Sequence, residues 1–123
     1  MFAETRAFSG FAVPDIEQAR AFYGDTLGIR TSEEYGLMRL HLAGDRDTLV
    51  YPKAGHTPAD YTILNFPVDD IEATVDALAA RGVAFERYDE MPQDERGIMR
   101  EGGPYIAWFR DPAGNILSVL QER

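Results

Sequence analysis

Phe11-Ala12-Val13-Pro14-Asp15-Ile16-Glu17 is echoed by Phe66-Pro67-Val68-Asp69-Asp70-Ile71-Glu72, 55 residues later, with five of the seven pairs identical. Around each copy the pattern is the same. An alternating apolar run precedes it, a helix pattern follows, and a glycine closes the helix. Agreement in periodicity and in stop signal makes a chance match a poor explanation, and internal repeats decide architecture. The chain therefore reads as two equivalent modules, residues 1–55 and 56–123, within one domain of 1–123.

In module one, residues 7–13 read as a strand. Asp15 is a good helix N-cap, with Gln18 placed to complete a capping box. Ile16, Ala19, Phe22, Tyr23 and Leu27 recur at helical spacing up to Gly28, which suits a left-handed cap. Residues 29–32, 37–42 and 48–52 follow as strands. In module two, residues 61–68 form a strand, Asp69 or Asp70 caps a helix, and Gly82 ends it. Residues 83–88, 105–110 and 115–121 then read as strands. Asp111-Pro112-Ala113-Gly114-Asn115 is a tight turn, since proline presets one dihedral and glycine supplies a positive φ. Residues 89–104 are polar, with Gly97, Gly102 and Gly103, and read as a long loop. The expected fold is α+β: two paired βαβββ modules forming a curved eight-stranded mixed sheet around a cleft.

Composition narrows the function. The 123 residues hold 21 Asp and Glu against 12 Lys and Arg, a net charge of −9. So acidic a surface repels phosphate backbones and anionic lipids, which excludes nucleic acid and membrane as expected partners. No apolar run approaches the roughly 20 residues of a membrane span. The absence of cysteine removes disulfides, thiolate metal sites and a cysteine nucleophile. With no signal-peptide pattern at the N-terminus, the expectation is a cytoplasmic protein.

Val13-Pro14-Asp15, Phe22-Tyr23 and Leu27-Gly28, paired late in the chain with Phe109-Arg110-Asp111-Pro112-Ala113-Gly114-Asn115, resemble the vicinal oxygen chelate superfamily. That group includes glyoxalase I, extradiol dioxygenases, fosfomycin-resistance transferases and bleomycin-binding resistance proteins. The resemblance spans essentially the whole chain and implies the paired βαβββ fold. It also implies homodimer formation, which is common among related proteins. Its enzymes hold a divalent metal on cleft-facing strands through His, Gln or Glu, and the metal acts as a Lewis acid. Counted from the helix caps and the late turn, the matching places fall at Phe8, Val50, Ile63 and Ser118. Apolar side chains have no lone pair to offer and a neutral serine is a poor donor. No metal site and no cofactor is therefore expected.

Other candidates for chemistry are few. His41 is assigned to the strand face opposite the cleft and His56 to a solvated linker. Asp15, Asp69 and Asp70 are explained by helix capping. Gln93-Asp94-Glu95-Arg96 reads as a solvated charge run, with a lid as the alternative. No nucleophile–base pair and no catalytic residue is identified. Alternation lines the cleft with Phe8, Met38, Leu40, Val50, Ile63, Asn65, Ile106, Trp108 and Ser118. This apolar and aromatic lining has few polar points, as small-molecule pockets do. The leading expectation is a metal-independent protein that binds or sequesters a small apolar or aromatic molecule. The alternatives are a lyase, isomerase or dioxygenase with a nonstandard metal site or metal-free acid–base chemistry, and a domain whose cleft is filled by its own side chains.

Overall fold

Two modules are built from two separate sheets in the computed structural model, which describes residues 1–123. The chain divides into two compact units, Met1–Thr57 and Pro58–Arg123. Unit one contains β1 (Gly10–Val13), α1 (Ile16–Arg20), a π-helical segment (Ala21–Thr26), β2 (Arg30–Glu34), β3 (Leu37–His41) and β4 (Thr48–Pro52). Unit two contains β5 (Thr62–Pro67), α2 (Ile71–Ala80), β6 (Tyr105–Arg110) and β7 (Ile116–Gln121). No helix is long and apolar enough to cross a membrane.

The sheet of unit one runs β1-β4-β3-β2, and that of unit two runs β5-β7-β6. In each, the first strand lies parallel to the last and the remaining pairs are antiparallel. Helix starts follow the repeat. Asp15 Oδ1 accepts the Gln18 N–H at 3.2 Å, and Asp70, not Asp69, accepts the Ala73 N–H at 3.1 Å. Gly82 ends α2 at φ +90°, and the Val83 N–H returns to the Leu78 carbonyl at 3.1 Å, the wrapping bond of a glycine-terminated helix. The first helix is not one continuous α-helix. It widens after Arg20, so that the Leu27 N–H reaches back to the Phe22 carbonyl at 2.9 Å. Tyr23 is fully buried within that stretch, its ring centroid 5.6 Å from that of Phe11.

The α+β class holds, but the expected eight strands are seven, arranged as four and three. The missing one is residues 83–88, reduced to a single bridge between Phe85 and Phe109. The exposed edge of β6 explains the loss. Glu86 N–H reaches the Trp108 carbonyl at 2.8 Å, and then Met99 takes the next position, exchanging bonds of 2.8 and 3.0 Å with Ile106. A strand edge has one set of donors and acceptors, and here the returning loop occupies half of it. The Gln93 side chain takes the groups thus left over, accepting the Tyr88 N–H at 2.8 Å and donating to the Glu86 carbonyl at 2.9 Å.

Residues 89–104 are consequently a docked bracket, which corrects both the solvated charge run and the lid. Asp94 Oδ1 accepts the backbone N–H groups of Arg96 and Ile98, each at 2.9 Å, and its Oδ2 accepts from Arg100 at 3.1 Å. Arg96 forks onto Asp76 of α2 at 2.9 and 3.2 Å, and Arg100 reaches Glu72 at 2.7 Å. Ile98 is only 1% exposed. Burial opposes ionisation of Asp94, but the Ile98 and Arg96 N–H groups together with Arg100 outweigh it and hold the carboxyl below its ordinary value.

The stability supplied by Asp94 is thus present above the ordinary carboxylate range and is lost as pH falls through its lowered folded value. Asp94→Ala should cost about 2 kcal/mol in urea unfolding at pH 7, the scale of hydrogen bonds to a charged group. The difference from wild type should shrink as the pH is taken below that of ordinary carboxylates.

Candidate functional site

Strand alternation and one helix contact determine which face of the unit-two sheet turns away from α2. Gln121 Oε1 accepts the Ile71 N–H at the start of α2, at 2.8 Å. Gln121 shares its face with Val119 and Leu117, whose partners in β6 are Ala107 and Phe109, so this set packs beneath α2. The opposite face presents a row in register: Trp108 beside Ser118, and Ser118 beside Asn65. Ile106 lies on that same face, paired with Leu120. Ile63 sits where the β5 ladder shifts register, between Thr62 and Leu64.

Three of the expected lining residues are therefore neighbours. Ser118 is fully buried, and its hydroxyl donates to Asn65 Oδ1 at 2.5 Å. Trp108 is half-buried and meets Tyr88 edge-on, with ring centroids 5.5 Å apart. Beside it lies a hollow of about 560 Å³, lined by Tyr61, Tyr88, Met91, Trp108, Arg110 and Ile116 among others. That volume falls within the usual span for small-molecule pockets. Tyr61, Tyr88 and Met91 were not identified from sequence. Each is an unremarked residue in its own segment, and the Glu86–Trp108 backbone bond is what draws Tyr88 to the indole.

The guanidinium of this hollow is engaged. Arg110 Nε donates to Glu86 Oε1 at 2.5 Å, and its Nη1 donates to the Gly114 carbonyl at 2.8 Å. The Tyr88 phenol is pushed above its ordinary value, by burial first and by the Glu86 carboxylate second, with Arg110 opposing. It stands in the hollow as a protonated O–H donor at neutral pH.

Unit one corrects the lining. Phe11, Val50 and Met38 lie side by side in register, and Phe11 rests on Tyr23 of the helix. Met38, Leu40 and Val50 are each 0% exposed and belong to the core beneath the helix. Phe8 lies ahead of β1, is 60% exposed, and stacks under Arg39, whose Cζ is 5.6 Å from the ring centroid. It faces away from the other three. The strand partner expected at Val50 falls one residue off, since Leu49 shares the face of Gly10 and Arg39.

Both histidines call for comment. His41 is expected on the face opposite Phe8, but alternation with the buried Met38 and Leu40 puts it with Arg39 on the face turned away from the helix. It is hydrogen-bonded there: its Nε2 lies 2.7 Å from Ser32 Oγ and its Nδ1 lies 3.1 Å from Asp47 Oδ1. This is a hydroxyl–imidazole–carboxylate relay where no nucleophile–base pair was found in sequence. Nucleophilic catalysis also needs donors around the reacting oxygen and a pocket. The nearby hollow of unit one takes in Asp47 but neither Ser32 nor His41, so the relay is read as an orienting hydrogen-bond chain. His56 is not a solvated loop side chain, because its Nε2 is buried without a partner.

A sequence model described as the Glyoxalase/Bleomycin resistance protein/Dioxygenase superfamily matches residues 7–119. No curated protein matches the chain. Several solved structures share the fold. A Bacillus anthracis protein assigned to the glyoxalase family is 20% identical, with a TM-score of 0.73 and 100% of each chain covered. TnmS3, an antibiotic binding protein from a Streptomyces strain, is 23% identical, with a TM-score of 0.68 and 98% of each chain covered. The fosfomycin resistance protein FosX from Mesorhizobium loti is 15% identical, with a TM-score of 0.67, covering 98% of this chain and 93% of its own.

The raised Tyr88 value has a measurable sign. Below the ordinary tyrosine value, near pH 10, it leaves stability unchanged. Above that, the unfolded chain ionises first and the fold loses stability as pH rises through the folded value. Tyr88→Phe should remove one phenolate step from the ultraviolet pH titration, at a pH above the ordinary tyrosine range, and should lessen the alkaline loss of stability.

Proposed function

Because this chain belongs to the glyoxalase/bleomycin resistance protein/dioxygenase superfamily, whose fold serves both enzymes and binders, we propose that it is a binder. Its ligand is a small, planar, apolar or aromatic molecule, held at the Trp108 hollow without chemical change. The observation that carries this reading is the lining itself: Trp108, Tyr88, Tyr61 and Met91 around a hollow of about 560 Å³. Aromatic rings offer broad faces for stacking, and the indole N–H and Tyr88 O–H supply donors that orient a guest.

Donor chemistry supports binding over metal-assisted catalysis. Phe8 and Ile63 have no lone pair to give, and the Ser118 hydroxyl is spent on Asn65. Nowhere do three or more His, Cys, Asp or Glu side chains gather in a way that could hold a metal ion. The residues present do not fit a divalent cation, and no reaction step is built on one. The antibiotic binding protein TnmS3, with the same fold, is a precedent for holding a compound on this scaffold. Homodimer formation and a cytoplasmic setting belong to the same reading, on the resemblance and the composition described above.

Trp108 is the only tryptophan, so its fluorescence reports on this hollow. Titration with a panel of planar aromatic compounds should quench or shift the emission saturably for at least one. Trp108→Ala should then weaken that compound's binding, followed by calorimetry, by more than tenfold, as loss of a stacked aromatic anchor costs about 2 kcal/mol or more. An unchanged emission and melting temperature across the panel would overturn the reading. Purified protein should also carry well under one equivalent of zinc, nickel, iron or manganese. Near-stoichiometric metal, lost to a chelator together with a measurable activity, would overturn it as well.

A further inference from the structure

Unit one has its own hollow, of about 690 Å³, between the segment ahead of β1, the end of β3 and the hairpin that joins β3 to β4. Arg6, Arg39 and Arg46 line it together with Phe8, Asp45 and Asp47. The charged groups of this unit that find partners are Arg20, with Glu17 and Asp25, and Asp47, which lies on His41. None of them engages Arg6, Arg39 or Arg46. Three guanidinium groups thus share one hollow without a carboxylate partner, on a chain whose net charge is −9. Of the two carboxylates in the lining, Asp47 is turned to His41 Nδ1 at 3.1 Å.

The arrangement has a shape as well as a charge. Arg39 Cζ stands 5.6 Å over the Phe8 ring, a cation–π contact that leaves the guanidinium N–H groups to donate elsewhere. Phe8 is still 60% exposed, a large aromatic face left to water at the hollow. Arg46 is presented by a hairpin in which Gly44 at φ +80° is followed by Asp45 at φ +57°. Glycine and aspartate both tolerate that left-handed region, as tight hairpin turns require. Guanidinium forks match the oxygens of carboxylate and phosphate groups.

The geometry points to a site for a small oxyanion carried on an aromatic ring, a carboxylate or a phosphate monoester. Arg6, Arg39 and Arg46 take the oxygens and Phe8 takes the ring. This site is separate from the Trp108 reading, since Trp108 is no part of its lining.

Phenyl phosphate and benzoate, titrated into the full chain by calorimetry, test it, with benzyl alcohol as the uncharged probe. Both anions should bind at least tenfold more tightly than benzyl alcohol, and their affinity should fall as sodium chloride is raised. Tighter phenyl phosphate assigns a phosphate monoester as the natural group, and tighter benzoate a carboxylate; either order supports the site. Arg39→Gln and Arg46→Gln, both at exposed positions, should each weaken binding about tenfold, the scale of one charge-assisted hydrogen bond. Arginine Nε–H resonances should shift on binding. Anions that bind no better than benzyl alcohol, or that bind equally well to the double arginine variant, would overturn the proposal. Phenyl phosphate that shifts Trp108 emission while the arginine resonances stay still would overturn it too, and would leave the reading of the Trp108 hollow intact.

Discussion

A buried carboxylate closes the hairpin on which unit two depends. Asp111 is 4% exposed, and its Oδ1 accepts the N–H groups of Ala113 and Asn115, both at 2.9 Å. Its Oδ2 accepts from Asn115 Nδ2 at 3.0 Å, and its backbone N–H meets the Asn115 carbonyl at 2.9 Å. A carboxylate so fully committed leaves the chain one way to turn. It pairs Arg110 with Ile116, hence Trp108 with Ser118. A slip of one residue would send every side chain of β7 to the other face. Burial of the Leu117–Val119 face beneath α2 and exposure of the indole to its hollow both follow from that turn.

The same contrast explains what could be read from the sequence. Counting from Asp111 puts Asn65, Ile106, Trp108 and Ser118 on one face, and the ladder does so too. In unit one the hairpin between β3 and β4 has no such lock. Counting across it lands on Val50, which faces the helix, where Leu49 is the residue that faces away. Phe8 and the trio of Met38, Leu40 and Val50 are separated for this reason alone. Residues whose placement rests on long-range hydrogen bonds left no local signal. Met99 on the β6 edge, Gln93 filling the places of a lost strand, and Ser32 beside His41 all owe their positions to contacts that periodicity does not encode.

The bracket at 89–104 shows how a polar segment without strands can still be fixed. Its composition suggests solvation, yet Asp94 collects two backbone donors and one guanidinium, while Arg96 and Arg100 carry it onto α2. The surface pairs among these contribute little individually. The internal bonds of Asp94 and Gln93 satisfy backbone groups that would otherwise be buried without partners. The bracket matters to the candidate site because Met91 enters the hollow from it, and Tyr88 from the residue just before it.

The two modules can be compared position by position through the repeat. Phe11, Val50 and Met38 form a row in unit one, as Phe66, Val119 and Ala107 do in unit two. The next row, on the face away from the helix, is then Gly10, Leu49 and Arg39 in unit one, and Asn65, Ser118 and Trp108 in unit two. One structural position thus carries a guanidinium in the first copy and an indole in the second. The arginines around it differ in the same sense. In unit two, Arg110 at the Trp108 hollow is spent on Glu86, whereas Arg6, Arg39 and Arg46 in unit one have no carboxylate partner. Backbone geometry was kept where the helices need it, beneath the Phe11 and Phe66 rows. On the faces away from the helices the copies differ, with an ionic hollow in the first and an aromatic one in the second.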